Sequence, residues 1–240
     1  MAINYIFERV EKKYLLNRNQ YHLLLKAVEP YMSVDGYGKH TIGNIYYDTD
    51  AYELISRSID KPKYKEKFRV RSYGVPKAND KVFLEIKKKY KGVVYKRRVS
   101  MTLKEVEDYL ERGVRPKKEG QILKEIDYLM SFYDLSPKVY LAYDRIAYFR
   151  KENPDVRITF DHNIRSRDYD VRLEEGDYGT QFLDDYQYLM EIKVPGAMPL
   201  WLSKILSDLE IYPTSFSKYG NVYKQLILLS RREALCSQVY

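Results

Sequence analysis

Cysteine occurs once in the chain, at Cys236. That excludes a disulfide framework and any zinc cluster built on thiolates. No stretch of ~18 or more uncharged apolar residues exists, so no membrane-spanning helix is expected. Glu8, Arg9, Glu11, Lys12 and Lys13 stand where a targeting signal would need an apolar run. A soluble protein in a reducing, cytoplasmic setting is the expectation. A Walker-type glycine-rich phosphate loop is missing, and neither a Ser-His-Asp nor a Cys-His motif is found. The histidines His22, His40 and His162 show no ligand spacing. No internal repeat, low-complexity tract or linker divides the 240 residues, so one domain over residues 1–240 is expected.

What is present is ample material for a core, with 45% hydrophobic residues, and a net charge of +8 that favours an anionic partner. The 26 tyrosines suit half-buried strands with wet edges. Strands are expected at Tyr5 to Leu16, Thr41 to Tyr47, Tyr64 to Ser72, Val82 to Tyr90 and Val93 to Met101, the last two a hairpin around Lys91-Gly92. Further strands are expected at Lys138 to Arg150, Val156 to Phe160, Val171 to Leu173 and Tyr188 to Val194. Asn17 or Asn19 caps a short helix closed by Pro30. Thr102 and Glu105 form a capping box for a helix stopping at Gly113. Other helices are expected over roughly Glu119 to Tyr133, from Pro199 onward, and from Ser217 to about Leu235. The class is α+β, with many antiparallel strands and helices outside.

Side chains two apart on a strand share a face. Arg9, Glu11 and Lys13 therefore lie together, as do Lys67, Arg69 and Arg71, Glu85 and Lys87, Lys96 and Arg98, Tyr143 and Arg145, Arg157, Thr159 and Asp161, and Glu191 and Lys193. For one strand alone, a solvated charged face over an apolar core explains the alternation. Across all of them cations dominate, which instead suits a closed barrel with a charged interior. Facing cations are tolerated best when a polyanion fills the space. Carboxylates among them either pair with a neighbouring cation or hold Mg²⁺ or Mn²⁺, and one such ion could bridge Glu191 to a triphosphate. Ser217, Lys218 and Tyr219 open the last helix, either as an anion site or as a plain serine cap beside a solvent lysine.

In order and spacing, Phe7-Glu8-Arg9-Val10-Glu11-Lys12-Lys13-Tyr14, Tyr46-Tyr47-Asp48-Thr49, Lys67-Phe68-Arg69-Val70-Arg71 and Leu84-Glu85-Ile86-Lys87 form a set with Tyr143-Asp144-Arg145, Arg157-Ile158-Thr159-Phe160-Asp161, Met190-Glu191-Ile192-Lys193 and Ser217-Lys218-Tyr219. This set resembles the VTC domain, the polyphosphate-polymerase branch of the triphosphate tunnel metalloenzymes (the CYTH-like superfamily). The resemblance implies a closed, eight-stranded antiparallel tunnel and Mn²⁺- or Mg²⁺-dependent transfer of a nucleotide γ-phosphate onto polyphosphate. By position it implies phosphate-ligand roles for Lys13, Arg69, Arg71, Lys87, Arg145, Lys193 and Lys218, and a metal-ligand role for Glu191. Arg9, Glu11, Lys67, Glu85, Lys96, Arg98, Tyr143, Arg157, Ser217 and Tyr219 complete the substrate-binding set. Hydrolytic members carry Glu-x-Glu-x-Lys on the first strand, whereas Arg9 stands here in place of the first glutamate and Glu8 points to the opposite face.

The first expectation is therefore a polymerase using ATP or another nucleoside triphosphate, with polyphosphate or diphosphate as acceptor. A tunnel-type triphosphatase and a non-catalytic polyphosphate or nucleotide binder are the alternatives. Nucleic acid is not expected as a partner, because carboxylates alternate with the cations. Family members in eukaryotes also carry a membrane segment that this sequence lacks, which leaves room for a membrane-protein partner outside the chain.

Overall fold

The computed structural model describes residues 9–60, 62–91, 93–184 and 186–226. Phe7, Glu8, the start of the first expected strand, Gly92, Cys236 and the last helix beyond 226 lie outside the described residues. Among the described residues eleven strands form, with helices between them: β1 (Arg9–Asn17), α1 (Arg18–Val28), β2 (Met32–Val34), β3 (His40–Asp48), α2 (Glu53–Ile59), β4 (Tyr64–Tyr73), β5 (Lys81–Tyr90) and β6 (Val93–Thr102). There follow α3 (Leu103–Leu110), α4 (Gln121–Tyr133), β7 (Ser136–Arg150), β8 (Arg157–Arg167), β9 (Thr180–Gln181), β10 (Gln187–Pro195), α5 (Leu200–Asp208) and β11 (Pro213–Thr214). A further helix, α6, covers 218–226.

Hydrogen-bonded strands run in the order β11-β1-β10-β8-β7-β3-β4-β5-β6, with β2 on β7 and β9 on β8. The expected closed eight-stranded barrel is thus corrected to an eleven-stranded sheet whose two ends are not joined by hydrogen bonds. The ends have a physical cause. β11 is two residues long and begins at Pro213, which has no N–H to carry a ladder onward. At the other end β6 is an edge strand whose Val93, Val94 and Tyr95 are exposed.

The chain divides into two compact units, 1–40 with 143–164 and 183–216, and 41–142 with 165–182 and 217–240. Each has its own core. In the first, Tyr14, Leu16, Leu24, Ile158, Phe160, Met190 and Ile192 are buried with Leu202 and Leu206 of α5. In the second, Phe68, Val70, Leu84 and Ile86 pack with Leu123, Ile126 and Leu129 of α4. These are the apolar positions that alternate with charges along the strands, so burying one face turns every intervening charge to the other.

Local signals explain most boundaries. Asn17 caps α1 through the Gln20 amide, 2.8 Å, and Gln20 returns the bond in a capping box. Thr102 and Glu105 do the same for α3. Pro199 takes the N-cap of α5 rather than its first helical position. The expected strand at Val171 to Leu173 does not form. Asp170 has φ 44°, and the Arg172 amide turns back to the Asp170 carbonyl at 2.7 Å, so the segment is a turn although Leu173 is buried.

β2, β9, β11 and α2 were not foreseen in the sequence. α2 starts at Tyr52 in a left-handed conformation with no side-chain cap. Its orphan donors are met instead by the buried Asp48. Oδ1 accepts from the Thr49 and Leu54 amides, both 2.9 Å, and Oδ2 accepts from the Ile55 amide, 3.0 Å, and the Tyr219 hydroxyl, 3.0 Å. Replacing Asp48 by Ala should therefore cost about 2–4 kcal/mol in denaturant unfolding, through lost caps and buried orphan donors. An unchanged midpoint would mean that packing alone holds α2.

Candidate functional site

In the first unit, three strands place a row of polar side chains side by side. On β1, β10 and β8 the register aligns Lys13 with Glu191 and Glu191 with Thr159. The next row aligns Glu11, Lys193 and Arg157. The Lys193 ammonium lies 2.5 Å from Glu191 Oε1, and Lys13 Nζ lies 4.0 Å from Oε2. Lys13 also donates to the Phe216 carbonyl at 2.9 Å. Burial alone would raise the Glu191 carboxyl; Lys193, Lys13 and Arg145 outweigh it and hold it well below the usual range. Arg145 forms a two-pronged pair with the buried Asp161, 2.6 and 2.8 Å, and lies 5.2 Å from the centre of the buried Tyr143 ring. Burial works against this guanidinium charge, but Asp161, Tyr143 and Glu191 more than compensate and push its pKa above the ordinary value. A bidentate fork of this kind fixes the plane of the guanidinium.

In the second unit, Glu85 is the hub. Its side chain is only 1% exposed, and Arg69 reaches Oε2 at 2.8 Å through Nε and at 2.6 Å through Nη2. Lys96 lies 2.8 Å from Oε1, with Arg71 at 3.7 Å and Arg98 at 4.0 Å. Arg69 also donates to the Tyr46 hydroxyl, and Arg71 to Asn44 Oδ1, both 3.0 Å. Burial would raise Glu85, yet Arg69, Arg71 and Lys96 bring it down to about 2. Lys96 keeps 45% of its side chain in solvent. Loss of hydration, with Arg71 and Arg69 repelling the charge, lowers its pKa to about 8 although Glu85 pulls the other way.

The start of α6 joins this second cluster. Ser217 Oγ accepts from the Gly220 amide at 3.1 Å and from Lys67 Nζ at 3.3 Å, so the serine cap forms and a cation sits on it. A Cβ at position 220 would come within 3.0 Å of that hydroxyl, which favours glycine there. The Tyr219 ring stacks on Tyr46 at 4.4 Å, and Lys67 lies 6.0 Å from the Tyr219 ring centre. Lys218 is half-buried at the same helix start.

The expected residues thus gather as two clusters. Lys13, Arg145, Glu191 and Lys193 meet in one unit; Lys67, Arg69, Arg71, Glu85, Lys96, Arg98, Ser217 and Tyr219 meet in the other. Lys87, Glu11 and Arg157 are exposed on the flanks, and Arg9 is aligned with Pro195. Asn44, Tyr46, Asp48 and Thr159 were not assigned roles from the sequence. Position 44 is two before Tyr46 on one strand face, the one signal that could have flagged it.

Thr159 bears on a metal. Its hydroxyl is buried, finds no hydrogen-bond partner, and stands in register beside Glu191. Among the described residues no three His, Cys, Asp or Glu side chains gather around a common point. One carboxylate and one free hydroxyl fit an ion of the Mg²⁺ or Mn²⁺ kind, which keeps water and takes its other oxygens from phosphates.

Each unit thus gathers Lys and Arg around a carboxylate, Glu191 in the first and the buried Glu85 in the second. The VTC domain model matches residues 8–227, and the chain belongs to the VTC domain family. Among solved structures, it is similar to a candidate adenylate cyclase of Bacillus halodurans at 15% identity and a TM-score of 0.56, covering 87% of this chain and 93% of that one. A candidate adenylyl cyclase of Hippeastrum, described as having a dominant triphosphatase activity, matches at 18% identity and a TM-score of 0.53, over 88% and 93%. At these identities the likeness is one of fold. No curated protein matches the chain. Among the described residues, no helix is long and apolar enough to cross a membrane.

Because Glu85 titrates at about 2 in the folded chain against an ordinary 4.5, its ion pairs contribute stability above pH 4.5 that is lost as the pH falls toward 2. At about 1.36 kcal/mol per pH unit the gap amounts to roughly 3 kcal/mol. Glu85→Gln should be less stable than wild type by about that amount at pH 7, and the two unfolding curves should converge near pH 2. A constant difference across that range would show that Glu85 acts through packing rather than charge.

Proposed function

We propose that the chain is a metal-dependent polyphosphate polymerase that transfers the γ-phosphoryl group of a nucleoside triphosphate, ATP in the first instance, to the end of a polyphosphate chain. The observation that carries this reading is the row Lys13–Glu191–Thr159 on β1, β10 and β8, in which Glu191 is the one carboxylate, with Lys193 of the next row on its other oxygen. With Arg9 where hydrolytic members place a further glutamate, that row favours holding a polyanion over assembling two metals around a water.

The chemistry asks little of a protein nucleophile. A terminal phosphate oxygen of the growing chain attacks the γ-phosphorus, the bond from γ-phosphorus to the bridging β–γ oxygen breaks, and the nucleoside diphosphate leaves with that oxygen. Positioning and neutralisation of charge do most of the work. Within the first unit Lys13, Lys193 and Arg145 serve as phosphate ligands, and within the second Arg69, Arg71, Lys87 and Lys218 do. Arg145 is held in a fixed plane, because Asp161 occupies one edge of its guanidinium and leaves the other donors to a phosphate. Glu191 and Thr159 would hold Mn²⁺ or Mg²⁺, which neutralises phosphate charge and orients the transferring group when bound. A triphosphatase is the second reading, favoured by the fold likeness to the Hippeastrum protein.

Incubation with ATP and Mn²⁺ should give a ladder of polyphosphate chains on a gel. Orthophosphate without chains would transfer the assignment to the triphosphatase. Glu191→Gln should lower the rate by at least about 100-fold, as expected when a charge-stabilising group is lost at a reacting phosphate, while leaving unfolding cooperative. Full activity in that variant would remove Glu191 from the metal site.

A further inference from the structure

The hairpin of β5 and β6, together with β4, carries charge very differently on its two faces. On one face the cations are matched. Lys88 and Arg97 converge on Glu125, at 3.4 and 2.5 Å, and Lys88 is aligned with Glu66 on β4. On the other face the register stacks like charges directly across neighbouring strands. Beyond the row Arg69–Glu85–Arg98 comes Lys67–Lys87–Lys96, and beyond that Lys65–Lys89 beside Val94. The series closes at the hairpin end, where the Lys91 amide donates to the Lys63 carbonyl at 2.9 Å. Glu85 is the only carboxylate in these rows, and it stands in the first.

Like charges set opposite one another destabilise a sheet. Among the described residues, neither Lys87 nor Lys89 makes an ion pair, and both are exposed. A neighbouring face of the same strand shows that carboxylates can be supplied there. Along β5 the face changes after the first row: Glu85 is buried, whereas Lys87 and Lys89 are exposed. A solvated surface of mixed charge has neither feature. A linear polyanion leaving the Glu85 cluster along this face would neutralise each row in turn.

We propose that this face, through Lys87, Lys89, Lys65 and Lys63, is a track for a polyphosphate segment extending beyond the phosphates gripped at Arg69 and Arg71. The proposal rests on the reading that the Glu85 cluster binds phosphate. The first and third rows are four residues apart, about 13 Å along the strand, farther than a triphosphate held at the first row extends. Chain length is therefore what the track recognises. Short and long polyphosphates share the inner cluster, and only the long ones reach Lys89.

The test uses the full chain, with tripolyphosphate and long-chain polyphosphate as probes, read by calorimetry over a range of salt. Lys89→Gln and Lys88→Gln remove the same charge from adjacent residues on opposite faces. Lys89→Gln should weaken long-chain binding by roughly three-fold and make its salt dependence shallower by about one counterion, with tripolyphosphate affinity unchanged. Lys88→Gln should leave both affinities unchanged. Equal effects of the two variants, or an equal loss for both probes, would overturn the track in favour of general electrostatic attraction. Single-stranded DNA bound as tightly as polyphosphate, and as sensitive to Lys89→Gln, would overturn the choice of polyphosphate. A wild type that binds tripolyphosphate but gains nothing from a longer chain would remove the track and leave the inner phosphate site standing. A wild type that discriminates chain length yet makes no polymer from ATP would keep the track and remove the polymerase.

Discussion

The pairing on which the rest of the second unit depends is a carboxylate out of water among cations. Glu85 would be costly to bury alone, since desolvation of a charge in a protein interior amounts to several kcal/mol. It is tolerated because Arg69 and Lys96 contact it closely and Arg71 and Arg98 stand just beyond. The arrangement works in both directions. Four cations on adjacent strands would repel one another without the carboxylate, and the carboxylate would protonate without them. What is left is an excess of positive charge held in fixed positions, which suits a polyanion.

The first unit repeats this physics with a different division of labour. Asp161 is spent on Arg145, fixing the guanidinium in place. Glu191 is less enclosed and shared between Lys193 and Lys13, with the Thr159 hydroxyl free beside it. A carboxylate committed to a two-pronged arginine pair has little left to offer a metal. One held by lysines, whose ammonium groups swing on flexible stems, can exchange a partner for an ion. Asp161 is therefore a strut, and Glu191 keeps the freedom that the proposed metal role asks of it.

Much of this was legible along the chain, because a strand's pleat converts alternation into faces without any knowledge of the fold. The pairs Lys67–Arg69–Arg71 and Glu191–Lys193 were readable for that reason, as were the capping boxes at Asn17 and Thr102. Other features were not. Asp48 caps a helix that begins five residues after it and takes a hydroxyl from Tyr219, 171 positions later. Val171 and Leu173 look like a strand by composition, but Asp170 turns the backbone left-handed just before them. Whether the strands close into a ring is likewise not a property of alternation, since an open sheet and a barrel share the same pattern. Among the described residues the hydrogen bonds leave the order open between the two-residue β11 and β6.

By itself the sequence determined the charge-x-charge strands, their apolar counterfaces and the family, because those follow from side-chain identity and the two-residue period. Tertiary structure alone decided which carboxylate pairs with which cation, that Glu85 is a hub and Asp161 a strut, and that Lys88 is neutralised while Lys89 beside it is not. Those outcomes depend on strand register and on helices such as α4 bringing Glu125 to one face only, distances that no local pattern encodes.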